Sequence, residues 1–122
     1  MKREQIKNIT IDGVEYTPIK LGKLEVAQND FPNRMQWKDA KKACADLGNG
    51  WRLPTKDELD LLYQYKDDIG NMKEEEYEQY YWSSTSYNKY YAWFQDFING
   101  YQFYLLYSKS FFHAVRAVRD IK

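Results

Sequence analysis

A chain of 122 residues is long enough to bury the core of one domain, and its 18 Lys and Arg residues balance its 18 Asp and Glu residues. With no net charge there is nothing to draw it to nucleic acid or to an anionic membrane surface, and its one cysteine, Cys44, rules out an internal disulfide and a cysteine metal cluster. No apolar run has the length of a membrane span, and the N-terminus, MKREQIKNIT, lacks the apolar centre of a signal peptide. If the domain works outside a cell, on a virion or a bacterial surface, some other route must take it there.

In chain order, the first predicted element is a hairpin over NITIDGVEYTPI, where Ile9 and Ile11 alternate with polar residues and Asp12-Gly13 is a two-residue turn signal. A helix follows from Gln36 to Leu47, with Trp37, Ala40, Cys44 and Leu47 on one face and Lys38, Lys41, Lys42 and Asp46 on the solvated side. Gly48 and Gly50 end it. A second helix opens at Thr55, where Thr55 and Glu58 have the spacing of a capping box, and Leu59, Leu62 and Tyr63 form its buried stripe. Gly70-Asn71 stops it, and the acidic run from Glu74 to Glu78 is a surface loop without the alternating ligands of a calcium loop. The last forty or so residues are strands: YYWSST, AWFQDF, a turn at Asn99-Gly100, a return from Gly100 to Ser108 and a closing strand HAVRAVRD. Hairpin, helix, helix and strands make an α+β domain whose first and last strands can pair.

The composition is uneven along this plan. Of the 22 Phe, Tyr and Trp residues, 12 lie between Tyr87 and Phe112, whereas only Lys89, Asp96 and Lys109 are charged between Tyr87 and His113. In the segment GYQFYLLYSKSFFH, an extended backbone sends Tyr101, Phe103, Leu105 and Tyr107 to one side and Gln102, Tyr104, Leu106 and Ser108 to the other. Apolar residues on both sides fit either a strand buried on both faces or one with a buried face and a presented face. Two observations favour presentation. Tyr101, Tyr104 and Tyr107 each carry a hydroxyl that a dry core would have to satisfy, and the adjacent Phe111 and Phe112 cannot both point into one core from a strand. Rigid Tyr and Phe with adaptable Ser and Asn is the chemistry of antibody paratopes, and an exposed apolar patch above roughly 400 Å² usually marks an interaction site.

The order AKKACADLGNGWRLPTKDELDLL, YYWSST, AW, F, NG and VRAVR, from about Trp37 to Arg119, resembles C-type-lectin-fold domains of the formylglycine-generating-enzyme type. Within them it is most similar to the variable proteins that diversity-generating retroelements mutate in phages and bacteria. The resemblance implies a single C-type-lectin-like domain over residues 1–122, with two helices packed on a twisted, loop-rich antiparallel sheet and its terminal strands paired. It implies that Trp51, Arg52, Leu53, Pro54, Trp82 and Trp93 are scaffold, and that ligand is bound by the segment preceding the terminal VRAVR strand. Such proteins vary at adenines of template codons, often AAC, which leaves Lys89, Trp93, Gln95, Gln102 and Lys109 as fixed positions. The candidate ligand-binding residues are then Tyr87, Asn88, Tyr90, Tyr91, Phe94, Asp96, Ile98, Tyr101, Phe103, Tyr104, Tyr107, Ser110, Phe111, Phe112 and His113. A protein or cell-surface ligand is the expected partner, with a glycan as the other stacking partner of Tyr rings.

Other classes find less in the residues. Cys44 on an apolar helical stripe is a small buried hydrophobe rather than a nucleophile, and His113 has no nucleophile or paired carboxylate beside it in sequence. No catalysis, metal or cofactor is therefore expected. The Glu-Pro-Asn, Gln-Pro-Asp and Trp-Asn-Asp tripeptides of calcium-dependent sugar lectins are absent. Arg116 and Arg119 are expected to pair with scaffold carboxylates or carbonyls. The alternative to a binding module is an assembly protein whose aromatic patch mediates homo-oligomerisation.

Overall fold

The computed structural model describes residues 9–11, 14–16, 18–105 and 108–121. Strands β1 (Ile9–Ile11) and β2 (Val14–Tyr16) pair antiparallel with Ile11 opposite Val14, as a hairpin requires. The expected turn at Asp12-Gly13 lies outside the described residues. The next hairpin is unanticipated. β3 (Ile19–Leu21) and β4 (Leu24–Val26) pair across a turn at Gly22-Lys23, where Gly22 takes φ 61°, in the left-handed region that a side chain disfavours. Ile19 and Leu21 are buried on either side of Lys20, and Leu24 to Ala27 are buried without a break. It is β4, not the N-terminal hairpin, that pairs with the last strand, β8 (Val118–Asp120), to complete a β3-β4-β8 sheet.

Helix α1 (Trp37–Asp46) buries Trp37, Ala40 and Cys44, as its 3.6-residue stripe requires, with Leu47 half-buried at its end. Helix α2 (Lys56–Gln64) begins with the expected capping box: Thr55 Oγ1 accepts from the Glu58 amide at 3.2 Å, and Glu58 Oε1 accepts from the Thr55 amide at 2.9 Å. Leu59 and Leu62 are buried, Tyr63 is half-buried, and a short helix α3 (Lys66–Ile69) follows before Gly70. A second antiparallel sheet, ordered β5-β6-β7, is built from β5 (Tyr80–Ser86), β6 (Ala92–Asp96) and β7 (Gln102–Phe103). The return strand expected from Gly100 to Ser108 is thus only two residues long.

The segment 113–119 is buried throughout, but only its end is a strand. Its earlier residues run between neighbours as single bridges, His113 with Met35 and Ala114 with Tyr81, and Val118 at the start of β8 also bridges Arg52. Phe31 and Ala27 donate to the carbonyls of Val115 and Ala117 at 3.0 and 2.9 Å. This segment connects two apolar clusters. Trp37, Cys44, Trp51, Leu53, Trp82 and Phe94 form one, beneath α1. Leu59, Leu62 and Ile69 meet Ile19, Tyr81 and Phe97 in the other, beneath α2 and α3. The arginines of VRAVR are buried between them as paired ions. Arg116 Nε donates to Asp30 Oδ1 at 2.8 Å and its other nitrogens to the carbonyls of Ala27, Gly70 and Asn71. Arg119 donates to both carboxylate oxygens of Glu25, its register partner on β4, and lies over the Trp51 ring. Both pair as their sequence context predicts.

Candidate functional site

The β5-β6-β7 sheet divides the aromatic residues into two populations. Phe94 on β6 points inward, 1% exposed, against Trp82, Phe103 and the His113 ring. Its neighbour Trp93 points outward, as alternation along a strand requires, and is only half-buried. Over it stand Tyr87 and Tyr104, stacked with ring centroids 3.8 Å apart, while the Lys56 ammonium lies 4.4 Å from the Trp93 ring. The close pairing with Tyr87 raises the pKa of Tyr104 above the ordinary phenol value.

The loops that carry these rings are held by polar residues. Asn88 Oδ1 accepts from the amides of Tyr90 and Tyr91 at 2.9 and 3.0 Å, an Asx turn that shapes the 87–91 loop. Lys109 ties that loop to the 108–112 turn. Its amide donates to the Tyr90 carbonyl at 2.9 Å, and its ammonium to the Asn88 carbonyl at 2.7 Å and to Ser86 Oγ at 2.9 Å. The same ammonium lies 4.2 Å from the Trp37 ring, and desolvation, with Lys41 nearby, lowers its pKa. Gln95 and Gln102 serve β6 and β7 in the same manner: Gln95 Nε2 donates to Asp60 Oδ1 and to the Gly100 carbonyl, and Gln102 Nε2 to the Lys56 carbonyl.

Of the candidate residues, Tyr87, Tyr90, Ile98, Tyr101, Phe111 and Phe112 are exposed, at 45–65% of their surface. Asn88 and Ser110 are exposed too, and Tyr91, Phe103 and Tyr104 are half-buried. Tyr107 lies outside the described residues. Phe94, Asp96 and His113 must be corrected, because all three are buried. Asp96 Oδ1 accepts from the amides of Ile98 and Asn99 at 2.7 and 3.2 Å, so its carboxylate shapes the turn rather than facing outward. His113 packs on Trp82 and Phe94, and burial pushes its pKa down to about 4. Trp93, assigned to the scaffold, belongs instead to the outer aromatic set.

Three residues beside this surface escaped the sequence. Lys56, at the start of α2, reaches the face only because the β5-β6-β7 sheet packs there. Tyr77, in the acidic loop, is 75% exposed with φ 73°, and Arg34 donates to its carbonyl at 3.4 Å. Arg34, Tyr77, Tyr80, Phe111, Phe112 and His113 line a cleft of about 220 Å³. The sign available was a single aromatic in a run of glutamates, which reads equally well as loop composition. Cys44 lies remote from this surface beneath α1, fully buried, with its thiol pushed up to about 12 by desolvation. Among the described residues no three His, Cys, Asp or Glu side chains gather as a metal site would need, and no helix is long and apolar enough to cross a membrane.

Fold and site together define a small α+β domain that supports an aromatic loop face on a rigid, ion-paired scaffold. The chain belongs to the family of Lcl C-terminal domains, whose family model matches residues 19–119. That span starts at β3, the hairpin the sequence did not announce, and ends at Arg119. No curated protein matches the chain.

Proposed function

We propose that this domain is a non-enzymatic ligand-binding module with a C-type lectin fold, of the retroelement-diversified variable type, which presents its aromatic loops to a protein on a cell or particle surface. The observation that carries this reading is the division of labour around β6. Tyr87, Tyr90, Tyr101, Tyr104, Phe111 and Phe112 stand outward on loops, while Asn88, Gln95, Asp96, Gln102 and Lys109 are engaged in holding those loops in place. A recognition face needs this combination, because rings ordered before binding lose less entropy on association. Membership of the Lcl C-terminal family supports a receptor-binding role of this kind. The burial of both Cys44 and His113 supports a role without catalysis.

Sequencing the gene and its flanks from many clones of the source population tests the proposal. Substitutions should fall on the exposed loop positions, match adenines of a nearby template repeat beside a reverse transcriptase, and spare Gln95, Gln102 and Lys109. An invariant segment without a template would overturn diversification. Light scattering tests the use of the face: a monomer leaves it open to a partner. An oligomer that Tyr104→Ala dissociates would assign the patch to self-association instead.

A further inference from the structure

The loop face is not uniformly neutral, and a charged recess lies outside the stacked tyrosines. The 220 Å³ cleft has four aromatic walls, Tyr77, Tyr80, Phe111 and Phe112, with Arg34 and His113 completing it. Phe111 and Phe112 are exposed, as is Tyr77, whose left-handed backbone is unusual for a bulky residue. Among the described residues the Arg34 guanidinium uses one of its five N–H donors, in the long bond to the Tyr77 carbonyl. His113 titrates near pH 4, so at neutral pH Arg34 carries the charge of this cleft. A neighbouring cleft of about 310 Å³ shares Arg34 and Phe112 and adds Lys73 and Glu78, whose opposite charges offset.

We infer that this cleft is an anchoring subsite for an acidic–apolar segment of a partner protein, an aromatic or branched side chain seated between Tyr77 and Phe112 with a carboxylate on Arg34. The inference rests on the reading of the loop face as a binding surface. Four rings in so small a recess offer apolar contact to one side chain, and a planar guanidinium pairs with a carboxylate through two parallel N–H donors. The subsite also draws in three residues, Arg34, Tyr77 and Tyr80, that lie outside the 87–113 segment, so part of the specificity would stay constant while the loops vary.

The test is a titration of the isotope-labelled domain with N-acetylphenylalanine and, separately, its neutral amide, followed by nuclear magnetic resonance, with light scattering on the same samples. The carboxylate should bind with a dissociation constant on the order of 1 mM, shifting the signals of Arg34, Tyr77 and Phe112. The amide should bind about tenfold more weakly, for want of a charge-assisted pair. Arg34→Gln should remove that tenfold difference and leave amide binding unchanged, whereas Phe112→Ala should weaken both probes. Equal affinity for the two probes, or shifts confined to Tyr87 and Tyr104, would overturn the subsite in a monomer whose face is open. An oligomer that covers Phe111 and Phe112 would instead overturn the binding reading beneath it. Saturation by a neutral sugar at the same cleft would reassign its chemistry.

Discussion

His113 shows how position decides the role of a residue whose type suggests chemistry. Buried among Trp82, Phe94 and Tyr80, it has its pKa pushed from 6.5 to about 4, chiefly by desolvation. In the unfolded chain it titrates near the ordinary value, so between pH 6.5 and 4 the unfolded state binds the extra proton and stability falls as pH falls. The full effect is on the order of 3 kcal/mol. Urea unfolding between pH 7 and 4 should show this slope, and His113→Gln should flatten it. Asp30, raised by burial, has the opposite pH sign at the acid end, and the comparison with His113→Gln separates the two. The outer rings should behave differently. Tyr104→Ala and Phe111→Ala should abolish partner binding with little change in melting temperature. Trp51→Ala, which empties a site 3% exposed, should cost roughly 3–5 kcal/mol. A large loss of melting temperature in both loop variants would place those rings in the core.

Among the elements, the two helices were legible because each has its own periodic stripe and stop signal, and α2 has a capping box within four residues. The loops were not, because what ties them to one another is remote in sequence. Lys109 joins Ser86 and Asn88 from 23 and 21 residues away, and a lone lysine in an aromatic run gives no hint of that pairing. Lys109→Met keeps the contact with Trp37 but removes both ammonium hydrogen bonds. We expect amide exchange to accelerate in residues 87–91 and partner affinity to drop, with a stability loss of about 1–2 kcal/mol. Unchanged exchange there would show that the Asx turn at Asn88 suffices to hold the loop. The return strand failed for a related reason: β7 stops after Phe103 because Tyr104 leaves the ladder to stack on Tyr87.

For the molecule as a whole, the terminal segment is the keystone. Arg116, fully buried, reaches Asp30 from 86 residues away and binds three backbone carbonyls besides. Asp30→Ala would leave that guanidinium without its counter-ion, and a loss of about 3–5 kcal/mol is expected in thermal or urea unfolding. A loss below about 1 kcal/mol would mean that the carbonyls alone satisfy Arg116.

The sequence by itself determined the α+β class, the two longer helices with their buried faces, and the concentration of aromatics before VRAVR. Each of these depends on short-range periodicity, capping or composition, which a linear chain displays directly. Only the tertiary structure decided which aromatics face outward. Phe94 and Trp93 are adjacent in sequence and alike in chemistry, yet one is in the core and the other on the surface, because pairing with β5 and β7 sets which side of β6 meets the helices. The placement of Arg34 and Tyr77 beside Phe112 was likewise set by long-range packing, since the chain brings them together from three separate loops.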